Sequence, residues 1–166
     1  MILNEPQDYW IELLEGGSYR LRGTSGPCTF SKPATARGVA KLYTLSDGNA
    51  LIYVGVAQQP MSARLNFGFN AQGKSGYYGY KWKELRQPLR LTVWTAQSGT
   101  DHASIREFET VEAEVAFLCR QRAGQWPAYQ HEIHFYLSQQ AHREAAERIY
   151  GHATAGQEGA GASFKR

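Results

Sequence analysis

The sequence predicts a single α+β domain, and three observations carry that prediction. Two β-type runs, residues 39–45 and 50–56, flank a Ser46-Asp47-Gly48-Asn49 turn and read as a hairpin. A third alternating run, Leu89-Arg90-Leu91-Thr92-Val93-Trp94-Thr95, reads as another strand. A long helix is expected over residues 104–122, where Ile105, Phe108, Val111, Val115 and Leu118 recur as an apolar stripe.

The remaining elements follow in chain order. Residues 1–33 read as an N-terminal extension: residues 9–14 suit either a helical turn or a strand, Gly16-Gly17 ends them, and Tyr19-Arg20-Leu21-Arg22 alternates as a strand. Residues 31–33 form a connector. After the hairpin, Pro60 suits the first turn of a helix that Met61, Arg64, Leu65 and Phe67 continue. Residues 66–75, rich in Gly and Asn, read as a loop, and residues 77–85 as a second helix ended by Pro88. Ser104 and Glu107 have the spacing of a capping box at the start of the long helix, which Gly124 ends and Pro127 prevents from restarting. Residues 132–137 read as a short strand or extended segment, and residues 137–150 as an Ala/Glu/Arg-rich helix. This divides the chain into an extension (1–33), a main domain (34–137), a C-terminal helix (138–150) and a Gly/Ala-dominated tail (151–166) expected to be disordered.

Composition bounds the function. With 42% hydrophobic and 13% aromatic residues, the 166-residue chain can bury a real core. The net charge of +3 decides little by itself, since partners respond to local charge. Cys28 and Cys119 lack metal or redox spacing and read as reduced thiols. No secretory signal opens the sequence, and no apolar run approaches the roughly 20 residues that span a bilayer. A soluble, cytoplasmic protein is expected.

The residues that could carry chemistry come in a particular order. Tyr53-Val54-Gly55, preceded by Leu51-Ile52, ends the hairpin; Arg64 follows about one helical turn after Pro60; Glu114-Val-Ala-Phe-Leu118 lies in the long helix; Pro127-Ala-Tyr129-Gln130-His131 comes after it. This series resembles the GIY-YIG nuclease family over residues 38–135. The second signature triplet matches well. For the first, Lys41-Leu42-Tyr43 keeps the tyrosine at nearly the family's distance from Tyr53, whereas Gly38-Val39-Ala40 keeps the glycine and puts alanine in the tyrosine's place; the Tyr43 register is favoured. The resemblance implies a small three-stranded antiparallel sheet flanked by helices.

It also implies roles. Hydrolysis of a phosphodiester needs an activated water, a cation against the developing charge and help for the leaving oxygen. Arg64 would fork onto the scissile phosphate, Tyr43 would stand near the attacking water, and Tyr53 would complete the cluster beside Gly55. A phenol is a poor base unless nearby cations lower its pKa. Glu114 would hold one Mg²⁺, or another divalent ion such as Mn²⁺, a hard ion that keeps most of its waters. On a helical wheel Glu112 and Glu114 both lie roughly 80° from the centre of the apolar stripe, so periodicity does not choose between them; the family's pattern around its acid favours Glu114. Gln130, or His131, would take the supporting place of the family's asparagine. The histidine some family members carry after the arginine is missing, with Tyr78 or Lys74 as stand-ins. His131-Glu-Ile-His134 offers too few ligands for zinc.

Between Met61 and Arg90 the basic residues are Arg64, Lys74, Lys81, Lys83, Arg86 and Arg90, against one acid, Glu84; this local excess of five exceeds the charge of the whole chain. Phe67, Phe69, Tyr77, Tyr78, Tyr80 and Trp82 are interleaved with them. Such a mixture suits a surface that neutralises phosphates and stacks on bases, with Lys74, Lys81, Lys83 and Arg86 as the nucleic-acid contacts. The expected activity is a Mg²⁺-dependent endonuclease acting on DNA, or RNA, with a homodimer left open. The alternative is a nucleic-acid-binding protein on the same fold whose catalytic set has decayed.

Overall fold

Strands β4 (Lys41–Asp47) and β5 (Ala50–Ala57) form the expected antiparallel hairpin, with Tyr43 opposite Gly55 and Leu45 opposite Tyr53. A computed structural model describes residues 1–97 and 102–156. β6 (Leu89–Trp94) pairs with the other side of β4, from Leu42↔Trp94 to Ser46↔Arg90.

The sheet does not stop at these three strands. It has six, in the order β3-β2-β1-β6-β4-β5, all neighbours antiparallel. The expected small three-stranded sheet is therefore half of the observed one. The missing half is the N-terminal segment, whose β1 (Gln7–Leu13), β2 (Tyr19–Gly23) and β3 (Gly26–Pro27) extend the sheet from the edge of β6. A strand with β6's apolar content cannot leave its outer ladder open to water without inviting uncontrolled pairing. β1 closes it from Gln7↔Val93 to Ile11↔Leu89, and its alternating Tyr9, Ile11 and Leu13 extend the same buried face. Every residue of β6 is buried as a result.

Each face of the sheet is covered by its own layer. On one face lie α1 (Met61–Asn70) and the segment after it, packing Met61, Leu65, Phe69, Tyr80 and Trp82 against Tyr43, Leu45 and Tyr53. On the other lie α2 (His102–Ala123) and α3 (Gln140–Thr154), packing Phe108, Val111, Val115 and Ile149 against Leu42, Leu51, Val54 and Trp94. Among the described residues no helix is long and apolar enough to cross a membrane.

Several expectations are corrected. Residues 77–85 do not form an α-helix; only single 3-10 turns occur, at Lys74–Gly76 and Lys81–Glu84. Gly76 and Gly79 both stand at φ +80°, a left-handed backbone that no α-helix accommodates. Of the two readings of residues 132–137, a short strand or an extended segment, the strand does not form. The expected capping box falls on Ser104, whose side chain lies outside the described residues; the Glu107 carboxylate meets His142 Nε2 at 2.8 Å and joins α2 to α3. α3 runs through residues 151–154, and residues 157–166 of the expected tail lie outside the described residues.

Arg90, one of the basic residues of segment 61–90, adds nothing to a charged surface. It is 3% exposed and donates to the carbonyls of His152 and Ala153, both at 2.7 Å, where Ser46 Oγ also donates to Ala153. The last turn of α3 thereby finds the donors that its free carbonyls need. Lys41 is fully buried as well, its ammonium donating to the carbonyls of Ala36, Val39 and Gln59 and so tying together the segments that flank the hairpin.

The path of residues 77–80 depends on two glycines. A Cβ on Gly68 would overlap the Tyr80 ring, and one on Gly79 would overlap the Gly68 carbonyl oxygen. Tyr80 N–H donates to that same carbonyl at 3.2 Å. Gly79→Ala is expected to destabilise the protein by about 2 kcal/mol or more, combining backbone strain with a clash that no side-chain motion relieves. Gly38→Ala meets open space at a similar φ and should cost only about 1 kcal/mol; urea denaturation of both variants checks the difference.

Candidate active site

A cavity of about 920 Å³ opens at the β5 edge of the sheet, where the two helical layers meet. Tyr53 and Gly55 line it from the strand, Arg64 from α1, Tyr77, Tyr78 and Tyr80 from the glycine-rich segment, and Glu109 and Glu112 from α2. Gln130, His131, Glu132 and His134 close it from the connection after α2.

Arg64 and Tyr80 on its lining are tied to the buried Tyr43 by a ring of hydrogen bonds. Arg64 Nε donates to Tyr43 Oη at 3.2 Å; Tyr43 and Tyr80 hydroxyls lie 2.9 Å apart; Tyr80 Oη donates to the Arg64 carbonyl at 3.4 Å. One set of proton positions satisfies all three: Arg64 gives to Tyr43, Tyr43 to Tyr80, and Tyr80 back to the Arg64 backbone. The guanidinium also lies over the Tyr80 ring, 5.6 Å from its centroid. Around the ring, Tyr53 packs between Tyr43 and Tyr80 at centroid distances of 5.8 and 5.7 Å, and Tyr80 stacks on Trp82 at 4.5 Å. Gly55 makes room for this: a Cβ there would approach the Tyr43 ring and hydroxyl and the Tyr53 ring to 2.8 Å.

Burial dominates the acid–base character of these groups. It raises the Tyr53 and Tyr80 phenols well above the ordinary tyrosine value, with Tyr43 adding to the rise and Arg64 only partly opposing it. Tyr77 is raised by burial too, against Arg64. All three phenols are neutral donors at pH 7. The cation thus does not convert them to bases, because desolvating a phenolate outweighs it. Arg64 keeps its charge: burial opposes it, but the phenol oxygens of Tyr43 and Tyr80 outweigh that, and its pKa is held above the ordinary arginine value.

Four glutamates line the cavity, Glu84, Glu109, Glu112 and Glu132, and of these Glu112 is the buried one. Glu114, favoured from the sequence pattern as the metal ligand, is half-buried on α2 and is not among the lining residues. The two positions are equivalent about the apolar stripe, and only the way α2 lies across the β5 edge distinguishes them. Glu112 is 7% exposed, and burial pushes its carboxyl up to about 8. Gln130 positions it: Gln130 Oε1 accepts from the Val54 N–H at 3.1 Å, and Nε2 donates to Glu112 Oε1 at 3.4 Å. Tyr129 N–H donates to the Ile52 carbonyl at 2.9 Å, so this connection runs along the free edge of β5. His131 is exposed at the cavity wall, and burial together with Lys81 lowers its pKa, leaving a neutral imidazole at pH 7.

Position 40, the rival for the first tyrosine's place, lies on the opposite face: Ala40 packs with Leu42 and Val54 in the α2–α3 core. Tyr43, Tyr53 and Arg64 are brought together as described. Of the expected nucleic-acid contacts, Lys81 and Lys83 line the cavity, while Lys74 and Arg86 are exposed outside it. In the sequence Tyr80 is only one of the segment's aromatics; what brings it back onto α1 is the pairing of Gly68 with Gly79, which no local pattern marks.

For a divalent ion the donor set is spare. Among the described residues no three of His, Cys, Asp and Glu converge as a ligand group.

Two outcomes follow from this geometry. Tyr43→Phe leaves the Arg64 Nε–H unpaired and should cost about 1–3 kcal/mol, and Tyr80→Phe a similar amount. The double variant should cost less than their sum, measured as a coupling energy in a double-mutant cycle by denaturation. For Glu112 the folded carboxyl titrates at about 8 and the unfolded one near 4.5. The folded state holds the proton over that window, so stability should fall as pH rises from 4.5 to 8. Glu112→Gln should flatten that slope and leave the variant more stable than wild type at pH 8, as thermal melting across pH reads. Comparison with known protein families, with curated proteins and with solved structures yields no match to this chain.

Proposed function

We propose that the protein is a phosphodiester hydrolase acting on DNA or RNA, with a divalent cation as cofactor, in the manner of the GIY-YIG nucleases that its sequence resembles. The observation that carries this reading is one concave surface holding a fixed cation, neutral phenol donors and a buried carboxyl. Arg64, its plane held by Tyr43, offers guanidinium nitrogens to a phosphate entering the cavity. Tyr53 and Tyr77, neutral at pH 7, donate to phosphate oxygens and stabilise the charge that develops there. The neutral imidazole of His131 is suited to accept a proton from the attacking water. Glu112 would hold Mg²⁺ or Mn²⁺, which when bound supplies a Lewis acid beside the phosphate. Gln130, bonded to strand and carboxyl, keeps Glu112 at the cavity wall. Lys81 and Lys83 add positive charge at the same opening.

The test is nicking of supercoiled plasmid, with single-stranded DNA and RNA beside it, in Mg²⁺ and in EDTA. Arg64→Ala and Glu112→Gln should each lower the rate by about 100-fold or more, as loss of one electrostatic stabiliser does. Glu114→Gln, outside the cavity, should stay within about threefold of wild type, well under the 1.4 kcal/mol that a tenfold change represents. A wild type that cuts no better than Arg64→Ala on any substrate sinks the hydrolase reading. Salt-sensitive binding retained in that case would favour a binding protein built on the same cavity.

A further inference from the structure

We propose that Phe67, Tyr77 and Tyr78 form a stacking platform for an unpaired base, so that the ligand is nucleic acid with single-stranded character at the cavity mouth. This rests on the nucleic-acid reading of the cavity and narrows it. The segment from α1 to Trp82 divides its large rings into two sets. Phe69, Tyr80 and Trp82 are 6%, 2% and 0% exposed and belong to the core, whereas Phe67 and Tyr78 are 58% and 73% exposed. Burial does not account for the second set, in which two large rings of one short segment stay open to water.

The exposed rings are held in place. Phe67 and Tyr77 stack with centroids 5.3 Å apart and planes within 8°, and Tyr77 lines the cavity together with Arg64, whose charge acts on its phenol. The open ring of Phe67 is thus one aromatic step from the arginine proposed to take the phosphate. Tyr78 lies across Gly73, whose φ of +89° and missing Cβ leave room for the ring. The turn beneath is closed by Gly73 N–H to the Tyr77 carbonyl at 2.9 Å and Gly76 N–H to the Gly73 carbonyl at 3.0 Å. Lys83 Nζ donates to the Tyr78 carbonyl at 3.2 Å, and Lys81 and Lys83 line the cavity beside these rings.

Cations interleaved with open aromatic faces match a polyanion whose repeating unit carries a π-face. In a duplex each base is already stacked above and below, so a ring can reach only a base that is unpaired, terminal or splayed out. A cavity with rings at its mouth therefore favours a flexible strand over a continuous helix.

The experiment is fluorescence anisotropy of a labelled single-stranded oligonucleotide and of its duplex, with the full chain in EDTA so that binding is read without cleavage. Phe67→Ala and Tyr78→Ala should weaken single-strand binding by about 5- to 100-fold, while the slope of affinity against salt stays unchanged because no charge is lost. Phe67→Tyr and Tyr78→Phe should restore affinity and show that the folded rim, not a damaged one, is being measured. Lys81→Ala and Lys83→Ala should instead reduce the salt slope by about 0.7 each. Wild-type affinity in both alanine variants overturns the platform, and so does duplex binding that is as tight as single-strand binding and equally weakened. Ring-dependent binding without any cleavage in Mg²⁺ supports the platform and removes the hydrolase reading alone.

Discussion

The closed ring of hydrogen bonds among Arg64, Tyr43 and Tyr80 is the interaction on which the rest of the site depends. It joins three elements that are distant in sequence: the first strand of the hairpin, the first turn of α1 and the segment that follows it. Each group in it is buried or nearly so, so each would incur a desolvation penalty if its partner were absent. The ring therefore exists as a unit, and it fixes both the plane of the guanidinium and the position of the Tyr80 ring. Its precondition is steric. Only glycine at positions 68 and 79 lets the chain pass close enough to α1 to return Tyr80 to the sheet.

The second constraint is the free edge of β5. An edge strand in a buried sheet needs partners for its outward N–H and C=O groups. The connection after α2 supplies them through Tyr129 and the Gln130 side chain. The consequence reaches beyond satisfying a strand edge, because the same glutamine touches Glu112. Structural closure of the sheet and presentation of a carboxyl to the cavity are one arrangement, and the cavity occurs where the layers on the two faces come together around that edge.

The electrostatic character of the site follows from its depth. Phenols that are partly solvated could be turned into bases by a neighbouring arginine; here burial prevails and keeps Tyr53, Tyr77 and Tyr80 neutral. The same desolvation raises Glu112. A permanently charged guanidinium thus stands among neutral phenol donors and a carboxyl that ionises reluctantly, with Lys81 and Lys83 but also Glu84, Glu109 and Glu132 on the same walls. That combination is the basis of the phosphodiester reading, and it is a property of packing, since the same side chains on a solvated surface would titrate ordinarily.

The sequence by itself determined the hairpin, the third strand, the start of α1, α2 and α3, because each is specified by local periodicity or by a turn of fixed chemistry; residues 66–70, which read as loop, continue α1. The resemblance grouped Tyr43, Tyr53 and Arg64, and their side chains do meet. Tertiary structure alone decided that residues 7–27 add three strands to the sheet, since the demand for them comes from the open ladder of β6, about 80 residues away in sequence. It decided that residues 77–85 are not a helix, since that depends on a backbone contact between Gly79 and Gly68. It decided that Arg90 caps α3 instead of meeting solvent. Above all it decided between Glu112 and Glu114. A helical wheel carries only the angle about its own axis, and the side of α2 that faces the cavity is set by where the edge of β5 lies beneath it.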